Sequence, residues 1–160
     1  MKNRSVTTNK QKLDQLFKDV DALRQLNDQR IEAQWATYLC IRVSGFLETS
    51  LQSIYLEYCQ DKAHPNLVRY IGGSFNGSRS HNMKQEKILA LAGAFSKEWR
   101  SELEKYIMDD GRKAAIDSII NLRNKAAHGD VQTITYHRIR EYYDKIWDVI
   151  QFIDTQCQKR

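Results

Sequence analysis

The sequence predicts an all-α fold, an up-and-down bundle of about five to six helices in a single domain. Helix breakers are rare, since one proline and seven glycines occur among 160 residues, and this favours long helices over a β fold with many turns. Apolar side chains also recur every three or four positions over most of the chain, which is the spacing of amphipathic helices. A chain of this length can bury one hydrophobic core.

The helix boundaries are predicted from this spacing and from capping residues. Thr8 with Gln11 three positions later resembles a capping box, so the first helix is expected to follow a loose N-terminal tail at residues 1–8. Ser96 and Thr135 are suitable N-caps for two later helices. The helical domain is predicted to cover residues 9–158, with helices at 9–26, 29–59, 83–95, 97–107, 112–128 and 135–157 and a short one at 66–75.

Residues 72–82 are rich in glycine, serine and asparagine. They lack the Gly-Lys-Ser/Thr ending of a phosphate-binding P-loop, and no strand pattern precedes them. We interpret them as a connecting loop, in which Arg79 and His81 are candidates for substrate contact. A solvated loop histidine is the alternative for His81.

Charge and cysteine usage limit the cellular setting. The net charge of +5 and the pI of about 9.1 permit a polyanionic partner. No long apolar run could span a bilayer, and the first residues lack the apolar core of a signal peptide. The three cysteines are not clustered, and Cys40 and Cys157 lie on apolar helical patterns. We therefore expect buried thiols, a cytoplasmic protein and no membrane partner.

Residues 119–130, Ile-Ile-Asn-Leu-Arg-Asn-Lys-Ala-Ala-His-Gly-Asp, carry the candidate site at the end of the penultimate helix. Gly129 is suited to end a helix in the left-handed conformation. Asn124 and His128 are four positions apart and share a helix face. Arg123 continues the apolar stripe and lies five positions before His128, so the two converge only if the imidazole folds back over the helix end.

Two interpretations of this pair remain open. In the structural one, Arg123 is a buried arginine paired with a carboxylate and His128 caps helix carbonyls. In the functional one, both belong to a catalytic site. Glu48 lies beside the small residues Ser44 and Gly45 in the long second helix. It is either a partner for Arg123 or His128, or an ordinary exposed glutamate.

The remaining motifs narrow the chemistry. No C-x-x-C, H-E-x-x-H or clustered His/Cys/Asp set occurs, and no nucleotide-binding fingerprint follows a strand, so we predict neither a metal site nor a cofactor. Arginine and histidine together suit metal-independent cleavage of RNA, whose 2′-hydroxyl is the nucleophile. Histidine transfers protons near neutral pH and arginine clamps phosphate. A two-fold dimer would supply two of each, and the small Ala126-Ala127 pair is compatible with such a contact.

The segment Arg-Asn-Lys-Ala-Ala-His-Gly, near the end of the penultimate helix, resembles the R-x-x-x-x-H motif of HEPN domains. In that family a polar residue usually follows the arginine, and Arg123, Asn124 and His128 match the motif positions. The long helix with its Phe46-Leu47-Glu48 segment is similar to the RiboL-PSP-type HEPN subgroup. The resemblance covers residues 29–156.

This resemblance implies an all-helical homodimer with the motif helix at its interface, and a metal-independent endoribonuclease of a toxin–antitoxin or anti-phage defence system. The implied partners are RNA, a second copy of the chain, and a cognate antitoxin or other defence protein. The implied roles are general acid/base for His128, phosphate clamp for Arg123, and orientation of the ring or the phosphate for Asn124. Further contacts with RNA are expected from the cationic side chains of Lys125, Arg112, Lys113 and Arg79.

Catalysis is not the only function that the resemblance allows. Some HEPN domains lack activity, so the chain is otherwise a non-catalytic helical dimer that acts as a protein-interaction or RNA-binding module. Gly129-Asp130-Val131 also differs from the family toxins that carry a tyrosine shortly after the histidine, which argues against a nucleotidyltransferase antitoxin.

Tyr142 and Tyr143 are either base-stacking residues or part of the core.

Overall fold

A computed structural model of the chain describes residues 3–24, 29–77, 83–128 and 134–158, and these form seven α-helices and no strand. The predicted all-α fold is therefore confirmed. The short helix predicted at residues 66–75 is present as α3, which has 13 residues, so the bundle has seven described helices where about five to six were predicted. The helices are α1 (Arg4–Arg24), α2 (Gln29–Lys62), α3 (Pro65–Gly77), α4 (Gln85–Phe95), α5 (Lys97–Met108), α6 (Arg112–Ala127) and α7 (Tyr136–Gln158).

The core is built on α2, which packs against α1, α3, α6 and α7. Its 34 residues span about 50 Å at the usual rise of an α-helix. Its inner face carries a row of side chains at intervals of three or four residues, each at most 2% exposed. The spacing follows from the helical period, since such residues lie above one another on one face. They are Leu39, Val43, Leu47, Leu51 and Ile54.

The start of α7 lies against the later part of α1. Tyr136, the first residue of α7, donates a hydrogen bond from its hydroxyl to the carbonyl of Phe17, in the later part of α1, at 3.0 Å. The ring of Phe17 also stacks on Tyr143, with centroids 4.8 Å apart. Because the chain passes from α6 to α7 within eight residues, the candidate motif at the end of α6 lies near this contact.

The predicted start of α1 was wrong. The helix begins at Arg4, and Thr8 lies inside it, so residues 4–8 are not a tail. The N-cap is Asn3, whose Oδ1 accepts from the backbone N–H of Val6 at 2.9 Å and from the Ser53 hydroxyl at 3.1 Å. Asn3 is 4% exposed. The cap is thus fixed by α2, fifty residues away, which local sequence patterns do not reveal.

The predicted N-caps Ser96 and Thr135 are confirmed. Ser96 and Thr135 accept hydrogen bonds from the backbone N–H groups three residues later, each at 3.3 Å. Gly111 follows two aspartates, adopts a left-handed conformation with φ of 68° and N-caps α6. None of the described helices combines the length and the apolar character that crossing a membrane requires.

Candidate functional site

The candidate site occupies the last turns of α6. The first turns of this helix bury Ala115, Ile116, Ile119 and Ile120 against α2 and α7. Arg123 follows at helical spacing and is half-buried, so it lies where the core face meets the solvent. This position agrees with the sequence prediction that Arg123 continues the apolar stripe.

Arg123 and Asn124 are joined by their side chains. The guanidinium Nη1 donates a hydrogen bond to Asn124 Oδ1 at 3.2 Å, and both residues are half-buried. An amide that accepts through its oxygen keeps its NH₂ group as a donor. The pair therefore presents a cation and a neutral donor side by side, a combination that suits phosphate oxygens.

His128 is exposed at the point where α6 ends. It is the C-cap of the helix, with φ of −93° and ψ of 4°, and its backbone N–H bonds the carbonyls of Lys125 at 3.0 Å and Asn124 at 3.3 Å. These backbone bonds fix the Cα of His128 while its imidazole faces solvent. The predicted helix stop at Gly129 lies outside the described residues.

The relative directions of the three motif residues follow from helix geometry. Successive residues turn by about 100°, so Asn124 and His128 leave the helix about 40° apart and Arg123 leaves it about 140° away from His128. The observed contact of Asn124 is with Arg123. Glu48 is half-buried on α2, the helix against which α6 packs. Its partnership with Arg123 or His128 stays a prediction.

The cationic residues predicted to contact RNA have different surroundings. The guanidinium of Arg112 lies 4.0 Å from the ring centroid of Tyr106 and within 3.7 Å of the Asp109 and Asp110 carboxylates. Its side chain is 12% exposed, so it is tied to the turn that joins α5 to α6. Lys113 pairs with Asp117 at 2.7 Å, and this hydrogen bond raises the pKa of Lys113. Lys125 is exposed, and Arg79 lies outside the described residues.

A cleft of about 750 Å³ between α6 and the first turns of α7 was not predicted. Lys125 is the one residue of the predicted site that lines it among the described residues. The signal for it was present in the sequence as two basic residues, His137 and Arg138, which follow the helix-capping Thr135 after one intervening residue. The residues that line the cleft are Ser118, Asn121, Leu122, Lys125, Ile134, Thr135, His137, Arg138, Glu141 and Tyr142.

The two adjacent tyrosines of α7 have opposite surroundings. Tyr143 is buried, stacks on Phe17 and donates its hydroxyl to Asp14 at 2.8 Å. Burial and the nearby carboxylate of Asp14 raise the pKa of Tyr143. Tyr142 is half-buried and lines the cleft. The core interpretation therefore holds for Tyr143, whereas Tyr142 packs at the edge of the core and lines the cleft.

Comparison with known proteins identifies the family. The family model described as RiboL-PSP-HEPN matches residues 7–159, which is nearly the whole chain and includes the motif on α6. Searches of curated proteins and of solved structures found no match. Within the described residues, no group of three or more His, Cys, Asp or Glu side chains could hold a metal ion. The helical fold, the motif at the end of α6 and the family match agree, and the chain belongs to the RiboL-PSP-HEPN family, a family of HEPN domains.

Proposed function

We propose that this protein is a metal-independent endoribonuclease of the HEPN type. The observation that carries the proposal is the end of α6, where an exposed His128 follows by one turn the hydrogen-bonded pair of Arg123 and Asn124. The exposed imidazole provides proton transfer and the positioned guanidinium provides charge stabilisation, the two functions that RNA cleavage without a metal needs. Membership of a HEPN family supports the same assignment.

The reaction uses the nucleophile that RNA already contains. The 2′-hydroxyl oxygen attacks the adjacent phosphorus while a general base takes its proton. The bond from phosphorus to the 5′-oxygen then breaks, and a general acid protonates the leaving oxygen. The products are a 2′,3′-cyclic phosphate and a 5′-hydroxyl. His128 serves as general acid/base, Arg123 binds the charged phosphorane, and Asn124 holds Arg123 and donates to a phosphate oxygen.

The reaction needs a base and an acid, and the motif supplies one histidine per chain. We therefore place two copies around one two-fold axis, so that each contributes His128 and Arg123. Exposed apolar residues on α2 support an interface at this end of the bundle, since Ile31, Tyr38 and Ile41 are 39 to 44% exposed. The exposed Ala127 would allow the two motif helices to approach closely. RNA, a second copy and a restraining antitoxin or other defence protein are the proposed partners.

A non-catalytic interaction module is the second candidate. It is favoured by α3, which contacts α2 and presents two large apolar side chains to solvent. Leu67 is 56% and Tyr70 is 75% exposed. Such residues on a helix of 13 residues suit contact with another protein.

The deciding experiment is RNA cleavage in the presence of EDTA. We expect the wild-type protein to cleave single-stranded RNA and to leave cyclic-phosphate ends, and His128→Ala to lower the rate by at least about a hundredfold. His64→Ala is the matched control, because His64 is also exposed but lies at the α2–α3 junction. Circular dichroism establishes that both variants are folded.

Two results would overturn the proposal. RNA that remains intact after prolonged incubation with the wild-type dimer would favour the interaction module instead. Equal cleavage by wild type and His128→Ala would assign the activity to other residues or to a contaminant. Loss of activity in both histidine variants would point to a general effect on folding, which the circular dichroism spectra would reveal.

A further inference from the structure

The cleft between α6 and α7 combines positive charge with an aromatic surface. Lys125 projects from α6, and Arg138 projects from the first turn of α7. Glu141 is the one carboxylate among the described residues that line it. Its volume of about 750 Å³ falls within the range of sites that hold small ligands.

The cleft opens on the helix face that carries the catalytic candidate. Asn121, Lys125 and His128 follow one another at intervals of four and three residues, so they lie on one face of α6. Asn121 and Lys125 line the cleft, and His128 lies one turn further along the same face. A chain bound at His128 could therefore continue directly into the cleft.

Tyr142 provides the aromatic surface. Its side chain is half-buried, and the guanidinium of Arg138 lies 5.5 Å from the ring centroid. The cation over the ring and the packing around it limit the rotation of both side chains. Bases stack on tyrosine rings and on arginine planes alike, so this pair is a suitable platform for a nucleobase.

We propose that this cleft binds the nucleotide next to the scissile phosphate of a single-stranded RNA. The base stacks on Tyr142, Asn121 hydrogen-bonds a base edge, and Lys125 and Arg138 contact the phosphates. The proposal rests on the proposed ribonuclease function, because that function supplies the RNA. It adds the substrate class, since a base can stack in this way only when it is not paired in a duplex.

Glu141 has a defined part in this binding. Its carboxylate pairs with Arg138 at 2.9 Å, and the pair is exposed. An incoming phosphate must compete with this carboxylate for the guanidinium. Glu141→Gln removes the competing charge and is expected to tighten RNA binding by about two- to fivefold. A merely structural role of the pair would not predict tighter binding.

The test measures binding separately from cleavage. A fluorescein-labelled oligouridine of eight nucleotides is titrated with the His128→Ala protein, which binds without cutting. Tyr142→Leu, which keeps apolar bulk but removes the ring, is expected to weaken binding about tenfold, whereas Tyr142→Phe retains the ring and should stay within about twofold. Arg138→Gln should weaken binding and lower the slope of log K against log salt by about 0.7. Arg69→Gln is the charge-matched control on α3 and should change neither the affinity for RNA nor the salt slope.

The outcomes separate this proposal from the proposed function. If the wild-type protein cleaves RNA but Tyr142→Leu and Arg138→Gln bind as tightly as their parent, the cleft is not a nucleotide site and the nuclease assignment stands. If the wild-type protein does not cleave but the cleft variants lose affinity as expected, the nucleotide site stands and catalysis fails. Equal losses in Arg138→Gln and Arg69→Gln would show nonspecific charge attraction and would overturn the proposal.

Discussion

The guanidinium of Arg123 donates to the side-chain oxygen of its neighbour Asn124 at 3.2 Å, although adjacent residues on a helix point about 100° apart. The contact is possible because the arginine side chain is long enough to reach around the helix. It restricts the guanidinium before any substrate is bound. Asn124 is therefore expected to act on catalysis largely through Arg123.

A double-mutant cycle tests this dependence. Arg123→Ala is expected to lower the cleavage rate about 100- to 1000-fold, as removal of a transition-state donor does. Asn124→Ala should lower it about tenfold in the wild-type background, but less than about threefold when Arg123 is already alanine. The measurement is the single-turnover rate on one oligonucleotide, with the oligomeric state checked by sedimentation. Fully additive losses would show that Asn124 acts independently of Arg123.

Arg112 is expected to stabilise the turn between α5 and α6. Its guanidinium donates to the carbonyls of Tyr106 and Asp109 at 3.3 and 3.4 Å and lies over the Tyr106 ring. Arg112→Ala should lower the free energy of unfolding by about 1–3 kcal/mol, and Arg112→Lys should lose part of this because lysine lacks the planar fork. Urea denaturation measures both.

Lys113→Ala is the control for Arg112→Ala. The side chain of Lys113 pairs with Asp117 in a more exposed position, so the free energy of unfolding of this variant should remain close to that of wild type. RNA affinity of the same variants tests the sequence-based prediction that Arg112 contacts phosphate. Unchanged stability of Arg112→Ala together with weaker RNA binding would support the phosphate contact and contradict the structural role.

The cysteines are expected to be unreactive in the folded protein. Burial raises the pKa of Cys40 from 9.0 to about 12, and the pKa of Cys157 rises to about 12 for the same main reason. Cys59 is also buried. Ellman's reagent at pH 8 should therefore label less than one thiol per native chain and all three after unfolding in urea. Rapid labelling of native Cys40 would contradict its burial.

The raised thiol pKa values also make stability depend on pH. The folded state favours the protonated thiols, so their contribution is complete below pH 9 and is lost as the pH rises towards 12. Cys40 should cost roughly 2 kcal/mol of stability at pH 10.5 relative to pH 8, and the partly exposed Cys157 should cost less. Urea titrations at both pH values measure this loss. The stability of Cys40→Ala should decrease less between the two pH values than that of wild type. An equal decrease would show that ionisation of Cys40 does not contribute to the loss.

Most of the helices and the core were predictable because helical periodicity is a local property of the chain. The spacing of Ile116, Ile119 and Ile120 indicates a buried face of α6 without reference to any neighbour. The same periodicity indicated the position of Arg123 at the edge of that face. Local capping chemistry likewise identified Ser96 and Thr135.

The features that were missed depend on contacts between distant segments. Asn3 caps α1 because Ser53 and Glu57 of α2 hold its side chain. No pattern within the first ten residues reveals this, and Thr8 gave a more familiar capping signal. The cleft beside Lys125 likewise exists only because the start of α7 lies against the end of α6.

The sequence by itself determined which segments are helical, which face of each is apolar, and where arginine, asparagine and histidine lie in the motif. Only the tertiary structure decided that Tyr143 is buried against Phe17 while Tyr142 lines a cleft. Neighbouring residues on a helix point in different directions, and the neighbouring helices determine which of those directions is covered. The helical period is encoded locally, whereas burial depends on how the whole chain packs.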